Sequence, residues 1–344
     1  PPRFETAGVS LYRTRVSSLP KACVTLQLTD SDRARLAEVC DATYLPAGYT
    51  PEAFTAALAE SEGLLCSNQI PLGRDVLALA PRLRVISGFG VGYNNVDLDE
   101  ATRRGIAVCN TPGVLSAAVA DLTIGMIITA SRGLIPNAAF VREGGWARRE
   151  PAPGLGWDLT GKTLGLIGFG RIGRAVAERA RAFGMRVIYH DTFTDPGAGW
   201  DDCQYRTLDD LLRACDVLSL HVNLTDETHH LINARALGLM KASAWVINTS
   251  RGPVIDQNAL TEALRRKQIA GAVLDVLEVE PPAADDPILA IDNAVILPHI
   301  GSATVETRAA MLELAVANFV AAMCGQTPPE CVNPEILERA LTRR

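Results

Sequence analysis

Short apolar runs alternate with longer amphipathic stretches along almost the whole chain, a pattern that predicts parallel α/β architecture. Before residue 112, the runs at 23–28, 64–66, 84–87 and 107–109 read as strands, separated by Ala- and Leu-rich helical segments. They predict a compact, smaller unit of flavodoxin-like type. Thr111-Pro112-Gly113 breaks the pattern. The stretch 117–130 then reads as a helix that is apolar on nearly every face, which predicts burial, between domains or at a dimer contact. Residues 151–156, rich in Pro and Gly, read as loop. Beyond them, 163–167, 186–190, 217–222, 244–249, 271–277 and 294–298 supply six strands, the number in a doubly wound dinucleotide fold. Thr207 with Asp210 looks like a helix N-cap of capping-box type. A long helix over 305–323 has no sheet left to complete there and is expected to return to the N-terminal unit. Two domains follow from this reading, 1–112 with 305–344 and 113–304, and the two crossings between them are expected to act as a hinge.

Composition narrows the picture. A chain of 344 residues is long for a single core, and 48% hydrophobic with 21% charged residues is ordinary for a globular protein. A net charge of −6 offers no electrostatic footprint for nucleic acid or an anionic membrane. No apolar run reaches the length of a membrane span. The first residues, Pro1 to Glu5, lack a secretory signal, and the missing Met is read as trimming or as residues absent before Pro1. Eight cysteines without a Cys-x-x-Cys pair read as reduced, mostly buried thiols, so a cytoplasmic protein is expected. Metal ligation finds no support: His229 and His230, placed in a helix, diverge by about 100° and are expected to face solvent.

The most informative segment is Gly165-Leu166-Ile167-Gly168-Phe169-Gly170-Arg171-Ile172-Gly173, between a strand and a helix over 172–183. Gly168 permits a tight turn, Gly170 lets backbone approach a pyrophosphate, and Gly173 lets helix pack on strand. The helix N-terminus offers free N–H groups to the phosphates. Asp191 ends the next strand and suits the adenosine ribose hydroxyls, while its charge repels a 2′-phosphate. NAD(H) is therefore expected over NADP(H).

Ligands in such sheets bind at the carboxyl ends of strands. Arg251, Glu280 and His299 each follow a predicted strand, about one βα unit apart, so they can converge on one rim. A guanidinium forks onto a carboxylate and polarises the neighbouring carbonyl. An imidazolium donates a proton to the carbonyl oxygen as hydride arrives at carbon, and a glutamate fixes the ring tautomer and favours its charged form. The competing histidines, His190 and His221, are expected to face cofactor or core. Gly88-Phe89-Gly90-Val91-Gly92-Tyr93 is a glycine-rich loop after a strand, able to form an anion nest or a plain turn.

At this point the chain resembles the D-isomer-specific 2-hydroxyacid dehydrogenase family over nearly its whole length. The matching blocks are Leu166 to Gly173, Ile247-Asn248-Thr249-Ser250-Arg251-Gly252, Leu274-Asp275-Val276 running to Glu280-Pro281, and Pro298-His299-Ile300-Gly301-Ser302-Ala303-Thr304. The resemblance implies a substrate domain and an NAD-binding domain, with Arg251 on the substrate, His299 as acid/base and Glu280 supporting it. It implies that Asp275 contacts the nicotinamide carboxamide, and that Arg171, Ile172, Asp191, Val222, Thr249, His299 and Gly301 line the NAD site with Gly168, Gly170 and Gly173. The amides of Val91 and Gly92 would hold the substrate carboxylate. Gly144-Gly145-Trp146 and the His299 block look most like the glyoxylate/hydroxypyruvate reductase branch, in which Trp146 would reach the partner subunit's site across a homodimer. Packing within a dimer contact is the other reading of Trp146. Many members of that branch prefer NADPH, whereas Asp191 here is acidic, and Asn223 stands where the family usually has proline.

Other activities are weighed against this one. A D-3-phosphoglycerate dehydrogenase needs cations for a distal phosphate, which Ser67-Asn68-Gln69 and the 88–93 loop lack, and with an end at Arg344 no regulatory domain is expected. A sugar-acid reductase acting on 2-ketogluconate is harder to separate. Formate dehydrogenase is disfavoured because it uses glutamine where Glu280 stands. A non-enzymatic NAD-sensing corepressor would retain the same residues but use long disordered tails, which are not evident here.

Overall fold

The computed structural model describes residues 19–337, so the readings of residues 1–5 and of the chain end lie outside it. The elements run β1 (Lys21–Val24), α1 (Asp30–Ala37), β2 (Asp41–Tyr44), α2 (Pro51–Ala59), β3 (Gly63–Ser67), α3 (Arg74–Ala78), β4 (Val85–Phe89), α4 (Leu98–Arg104) and β5 (Ala107–Cys109). There follow α5 (Ser116–Arg132), α6 (Leu134–Arg142), β6 (Thr163–Ile167), α7 (Arg171–Ala182), β7 (Arg186–His190), β8 (Gln204–Tyr205), α8 (Leu208–Ala214) and β9 (Val217–Leu220). The chain continues through α9 (Ala234–Leu239), β10 (Trp245–Asn248), α10 (Gln257–Arg265), β11 (Gly271–Leu274), β12 (Ala294–Ile296) and α11 (Val305–Met323). It divides into two compact units, 1–112 with 309–344 and 113–308, the second boundary falling inside α11.

In the first unit the strands lie parallel in the order β2-β1-β3-β4-β5, the flavodoxin-like arrangement. Its helices start where the chain supplies caps: Thr50 accepts from the Ala53 amide with Pro51 in the first turn, and Asp97 accepts from the Glu100 amide. Gly105, at φ 74°, ends α4 in the left-handed conformation. From residue 309 onward α11 packs here. Phe319, Ala315 and Val316 join Val24, Leu65 and Val85 in one core, and the buried Ser87 hydroxyl donates to the Ala315 carbonyl at 2.8 Å. Gly63 is the close-approach point, since a Cβ there would fall inside 3.0 Å of Phe319 and Met323. Sequence patterning misses β2. Its four residues alternate between exposed and half-buried at the sheet edge, so no apolar run marks them.

The second unit is a parallel sheet in the order β12-β11-β10-β9-β6-β7-β8, with helices on both faces. The expected six strands become seven, because β8 is a two-residue edge strand paired with Ile188 and Tyr189, too short to show alternation. The predicted runs 217–222, 271–277 and 294–298 overshoot their strands. The cause is visible at Val276 and Leu277, which are buried in the loop after β11. Hydrophobicity therefore continues past the last ladder bond. Within this single chain α5 is buried on one side only. Val119, Ala120, Thr123, Ile124, Met126 and Ile127 are buried, whereas Asp121 and Gly125 are exposed, Asp121 pairing with Arg179 of α7 at 2.6 Å. Thr207 caps α8 by accepting from the Asp210 amide and donates its own hydroxyl to the Asp210 carboxylate at 2.8 Å. Among the described residues no single helix is long and apolar enough to cross a membrane.

Candidate active site

The loop after β6 is built as a cradle. Gly168 has φ 92°, and its amide donates to the His190 carbonyl at 2.9 Å. A Cβ on Gly168 would fall inside 3.0 Å of the His221 carbonyl, and one on Gly173 would do so against the Gly168 carbonyl. Backbone cannot rotate away, so both positions demand glycine. Gly170 differs: among the described residues, its chain neighbours aside, nothing lies within 4 Å of a Cβ built there. That is the open approach a pyrophosphate requires, and Gly170 caps α7 without a side-chain acceptor for the first-turn amides around Arg171 and Ile172. The residues present fit a dinucleotide. Val222 lies beside Gly168, and the Thr249 hydroxyl is 3.3 Å from that of Thr123 on α5.

Asp191 closes the rim at the end of β7. One oxygen accepts from the Phe169 amide at 2.6 Å, the other from the Thr192 amide at 2.6 Å and its hydroxyl at 3.1 Å. The carboxylate is thus fixed in place by the glycine loop it serves. Sequence reasoning missed Arg174, whose guanidinium sits over the Phe169, Phe193 and Trp200 rings and donates to the Phe169 and Pro196 carbonyls. Phe193 and Trp200 just after Asp191, in a chain with only 5% aromatics, were the available signal.

The chemistry-bearing side chains meet in the same unit. Asn248, fully buried at the end of β10, shapes the turn that carries Arg251. Its side-chain Oδ1 accepts from the Ser250 amide and hydroxyl, and its side-chain Nδ2 donates to the Arg251 carbonyl at 3.0 Å. Burial pulls the Arg251 guanidinium below the ordinary arginine range, and the nearby Glu280 charge pushes back. Glu280 accepts from the Leu277 amide at 3.0 Å through one oxygen and meets His299 Nδ1 at 2.7 Å through the other. Burial alone would raise the Glu280 carboxyl. The His299 bond and charge, the Leu277 amide and Arg251 outweigh it, so the group lies below the usual carboxylate range. With Nδ1 engaged, Nε2 is the ring nitrogen left to exchange a proton.

His299 is held from beneath. Its backbone is left-handed at φ 54°, uncommon outside glycine, and its amide donates to the Asp275 carbonyl at 3.0 Å. The Asp275 carboxylate, 1% exposed, accepts from the Ile300 and Gly301 amides at 2.7 and 2.8 Å. Burial raises the Asp275 carboxyl, against the pull of those amides and of His299. Asp275 therefore props the His299 turn with both oxygens.

Within the first unit, the loop after β4 orients two amides. Asn110 donates to the Val91 carbonyl at 2.7 Å, the Thr111 amide donates to the Gly90 carbonyl at 2.9 Å, and the Asn68 side chain donates to the Gly92 carbonyl. A trans peptide turns each N–H away from the preceding C=O, so the Val91 and Gly92 amides point opposite to those tethered carbonyls. Trp146, 71% exposed, follows α6, whose Leu134, Ile135 and Val141 are exposed and which buries no residue.

The remaining histidines sort differently. His190 Nδ1 meets the Arg206 carbonyl at 3.0 Å. His221 is buried with Nε2 2.9 Å from the Ser219 hydroxyl and Nδ1 without a partner among the described residues, and burial pulls it down to about 3. The unfolded chain protonates this ring near its ordinary value of about 6.5 while the folded chain does not. Stability from His221 is thus complete above pH ~6.5 and is lost as pH falls towards its folded value. The stability difference between the native chain and His221→Asn should shrink by about 1.4 kcal/mol for each pH unit below that point, read by urea unfolding at stepped pH. A pH-independent difference would refute neutral burial. The helical placement of His229 and His230 is overturned. His230 has φ 50°, the two rings stack with centroids 4.0 Å apart, and His230 Nε2 meets Glu278 at 2.7 Å. Their adjacency carries no helical signal once the backbone turns left-handed between them and the next residue.

Comparison with known proteins agrees with this architecture. Residues 124–301 match the family model described as D-isomer specific 2-hydroxyacid dehydrogenase, NAD binding domain. A glyoxylate reductase of Thermofilum pendens is 40% identical over 329 residues, 93% of this chain and 96% of its own length. The crystal structure of a glyoxylate reductase from Paecilomyes thermophila superposes with a TM-score of 0.84 at 33% identity, covering 93% of this chain and all of that one. An NADPH-dependent glyoxylate/hydroxypyruvate reductase from Sinorhizobium meliloti, solved with NADP and malonate, gives 0.81 at 34% identity over 92% of this chain and 97% of its own. The chain belongs to the D-isomer-specific 2-hydroxyacid dehydrogenase family. It is accordingly an oxidoreductase with a nicotinamide dinucleotide domain, standing beside the glyoxylate reductases within that family.

Proposed function

We propose that this chain reduces a small 2-oxoacid of the glyoxylate or hydroxypyruvate type to the D-2-hydroxyacid, with NADH as the preferred cofactor. The carrying observation is the Glu280–His299 contact at 2.7 Å, with the Arg251 charge acting on Glu280. A bound nicotinamide supplies the hydride. His299 Nε2 gives a proton to the carbonyl oxygen, Glu280 on Nδ1 stabilises the imidazolium that must be present beforehand, and Arg251 pairs with the substrate carboxylate and polarises the carbonyl. The Val91 and Gly92 amides are proposed as further carboxylate donors, and Asp275 is proposed to keep the His299 turn rigid beside the carboxamide.

Cofactor choice rests on Asp191, whose anchored carboxylate favours ribose hydroxyls and disfavours a 2′-phosphate; the Sinorhizobium meliloti relative uses NADPH, so this reading needs its own test. A kcat/KM panel over glyoxylate, hydroxypyruvate, pyruvate, 2-ketogluconate and phosphohydroxypyruvate, with each cofactor, should favour NADH and one of the first two acids. Turnover of none of the five while NADH still binds would end the proposal, as would NADPH preferred over NADH. The exposed apolar set Leu134, Ile135, Val141, Trp146 and Leu155 supports a homodimer, so sedimentation of the same preparation is expected at twice 36.8 kDa. The free cysteines, most of them buried, support a reducing, cytoplasmic setting.

A further inference from the structure

His229, His230 and Glu278 bring three ligand-type atoms within 4.8 Å of one another, which invites a metal. The stacking argues otherwise. An imidazole binds a cation along its lone pair, in the ring plane at about 2.0–2.1 Å. With the two ring planes only 24° apart and the centroids 4.0 Å apart, a cation in the plane of one ring lies off the plane of the other. What the cluster does instead is join three loops. The His230 amide donates to the Pro253 carbonyl at 2.8 Å, two residues past Arg251. Its Nε2 meets Glu278 Oε1 at 2.7 Å, two residues before Glu280. The Ile232 amide donates to Val254, the Asp256 amide returns to Ile232, and the Glu278 amide donates to the Gln257 side chain at 3.0 Å. His230 holds a left-handed backbone to make both of its bonds, a conformation that persists only where the surroundings over-determine it.

We propose that His230 and Glu278 are positioning residues, locking the 277–280 turn against the 251–254 turn so that Glu280 stays aimed at His299. The same turn supplies the Leu277 amide that occupies the other Glu280 oxygen. Released from Glu278, the turn can swing the carboxylate off Nδ1, and the proton donor is left without its anionic prop. The charged groups around His299 are Glu280 on Nδ1, Asp275 beneath the turn and, beyond Glu280, Arg251; those at His230 are Glu278 and the stacked His229. The proposal rests on the reading of Glu280 and His299 given above.

The test compares His230→Ala, Glu278→Ala, the double variant and His230→Gln, whose amide can still donate to Glu278. Steady-state reduction, its pH profile, NADH affinity by fluorescence and the melting temperature are measured on each. The Ala variants should lose about tenfold or more in kcat, since small misplacements near reacting atoms are costly. Their pH profile should change, with NADH affinity kept within about twofold. The double variant should be no worse than either single one, and His230→Gln should recover most of the loss. Loss of NADH affinity or melting temperature in step with kcat, at an unchanged pH profile, would make the pair merely structural and overturn the proposal. No change in kcat would overturn it equally. Glu280→Gln separates the two readings: if it leaves turnover and pH profile intact, the acid/base assignment fails, whatever the His230 variants do.

Discussion

Replacing His299 with Ala should lower kcat for 2-oxoacid reduction by about 10²–10⁴ while NADH affinity stays within about twofold. The argument is geometric. Nδ1 is committed to Glu280 at 2.7 Å, so the ring has one nitrogen with which to protonate a carbonyl oxygen, and no other side chain in this set can replace it. Losing the ring also strips Glu280 of the first of the interactions that oppose its burial, so that carboxyl should rise and its charge become harder to keep. Because position 299 is left-handed, His299→Asn is the companion variant, as asparagine tolerates that conformation better than alanine. If both variants lose turnover alike, the deficit is chemical rather than a relaxation of the backbone. Steady-state kinetics with a fluorescence titration of NADH reads both quantities. Equal losses in kcat and in NADH affinity would remove His299 from the proton-transfer role.

Gly252→Ala should also be damaging, through sterics alone. A Cβ at Gly252 would fall inside 3.0 Å of the Leu277 carbonyl carbon and oxygen and of the Glu278 amide nitrogen, all of them backbone atoms. No rotamer change relieves such a clash, so the turn after Arg251 and the turn before Glu280 must part. Overpacking of this kind costs ~3 kcal/mol or more, and the accompanying misplacement of two reacting groups should lower kcat/KM by about 10²-fold. Urea unfolding and steady-state kinetics on the same sample check both parts. Gly170→Ala is the contrasting control, because among the described residues nothing beyond its own chain neighbours lies within 4 Å of a Cβ there: stability should hold while NADH binding weakens. A Gly252→Ala chain of native stability and activity would mean that the two turns are looser than the structure draws them.

Local pattern carried far in this chain, and its failures share a cause. The strands at Thr163–Ile167 and Arg186–His190 and the helix Val305–Met323 have the limits that their apolar runs predict, because all are long, strongly patterned and bounded by glycine, charge or a loop. β2 and β8 escaped because edge strands of four and two residues bury too little to leave an apolar run. The spacing of Arg251, Glu280 and His299 at successive strand ends was legible; the structure puts Glu280 on His299, and Arg251 acts on Glu280 through its charge. What holds them was not. Asn248 folds its turn by local side-chain bonds, Asp275 reaches amides 25 and 26 residues away, and His230 reaches Glu278 across 48 residues. Such bonds follow from the packing of loops, which no periodicity along the chain encodes. Arg174 and Asn68 belong to the same group: their partners are carbonyls of glycine-rich loops, invisible as side-chain types.

Asp275 grips its neighbour at 300 only by the peptide nitrogen, and the Ile300 side chain, 37% exposed, takes no part in that grip. Position 300 is therefore a place where the surroundings of the acid can be re-sculpted, by evolution or by an engineer, without unseating it. Proline is the one substitution that removes the anchoring N–H itself.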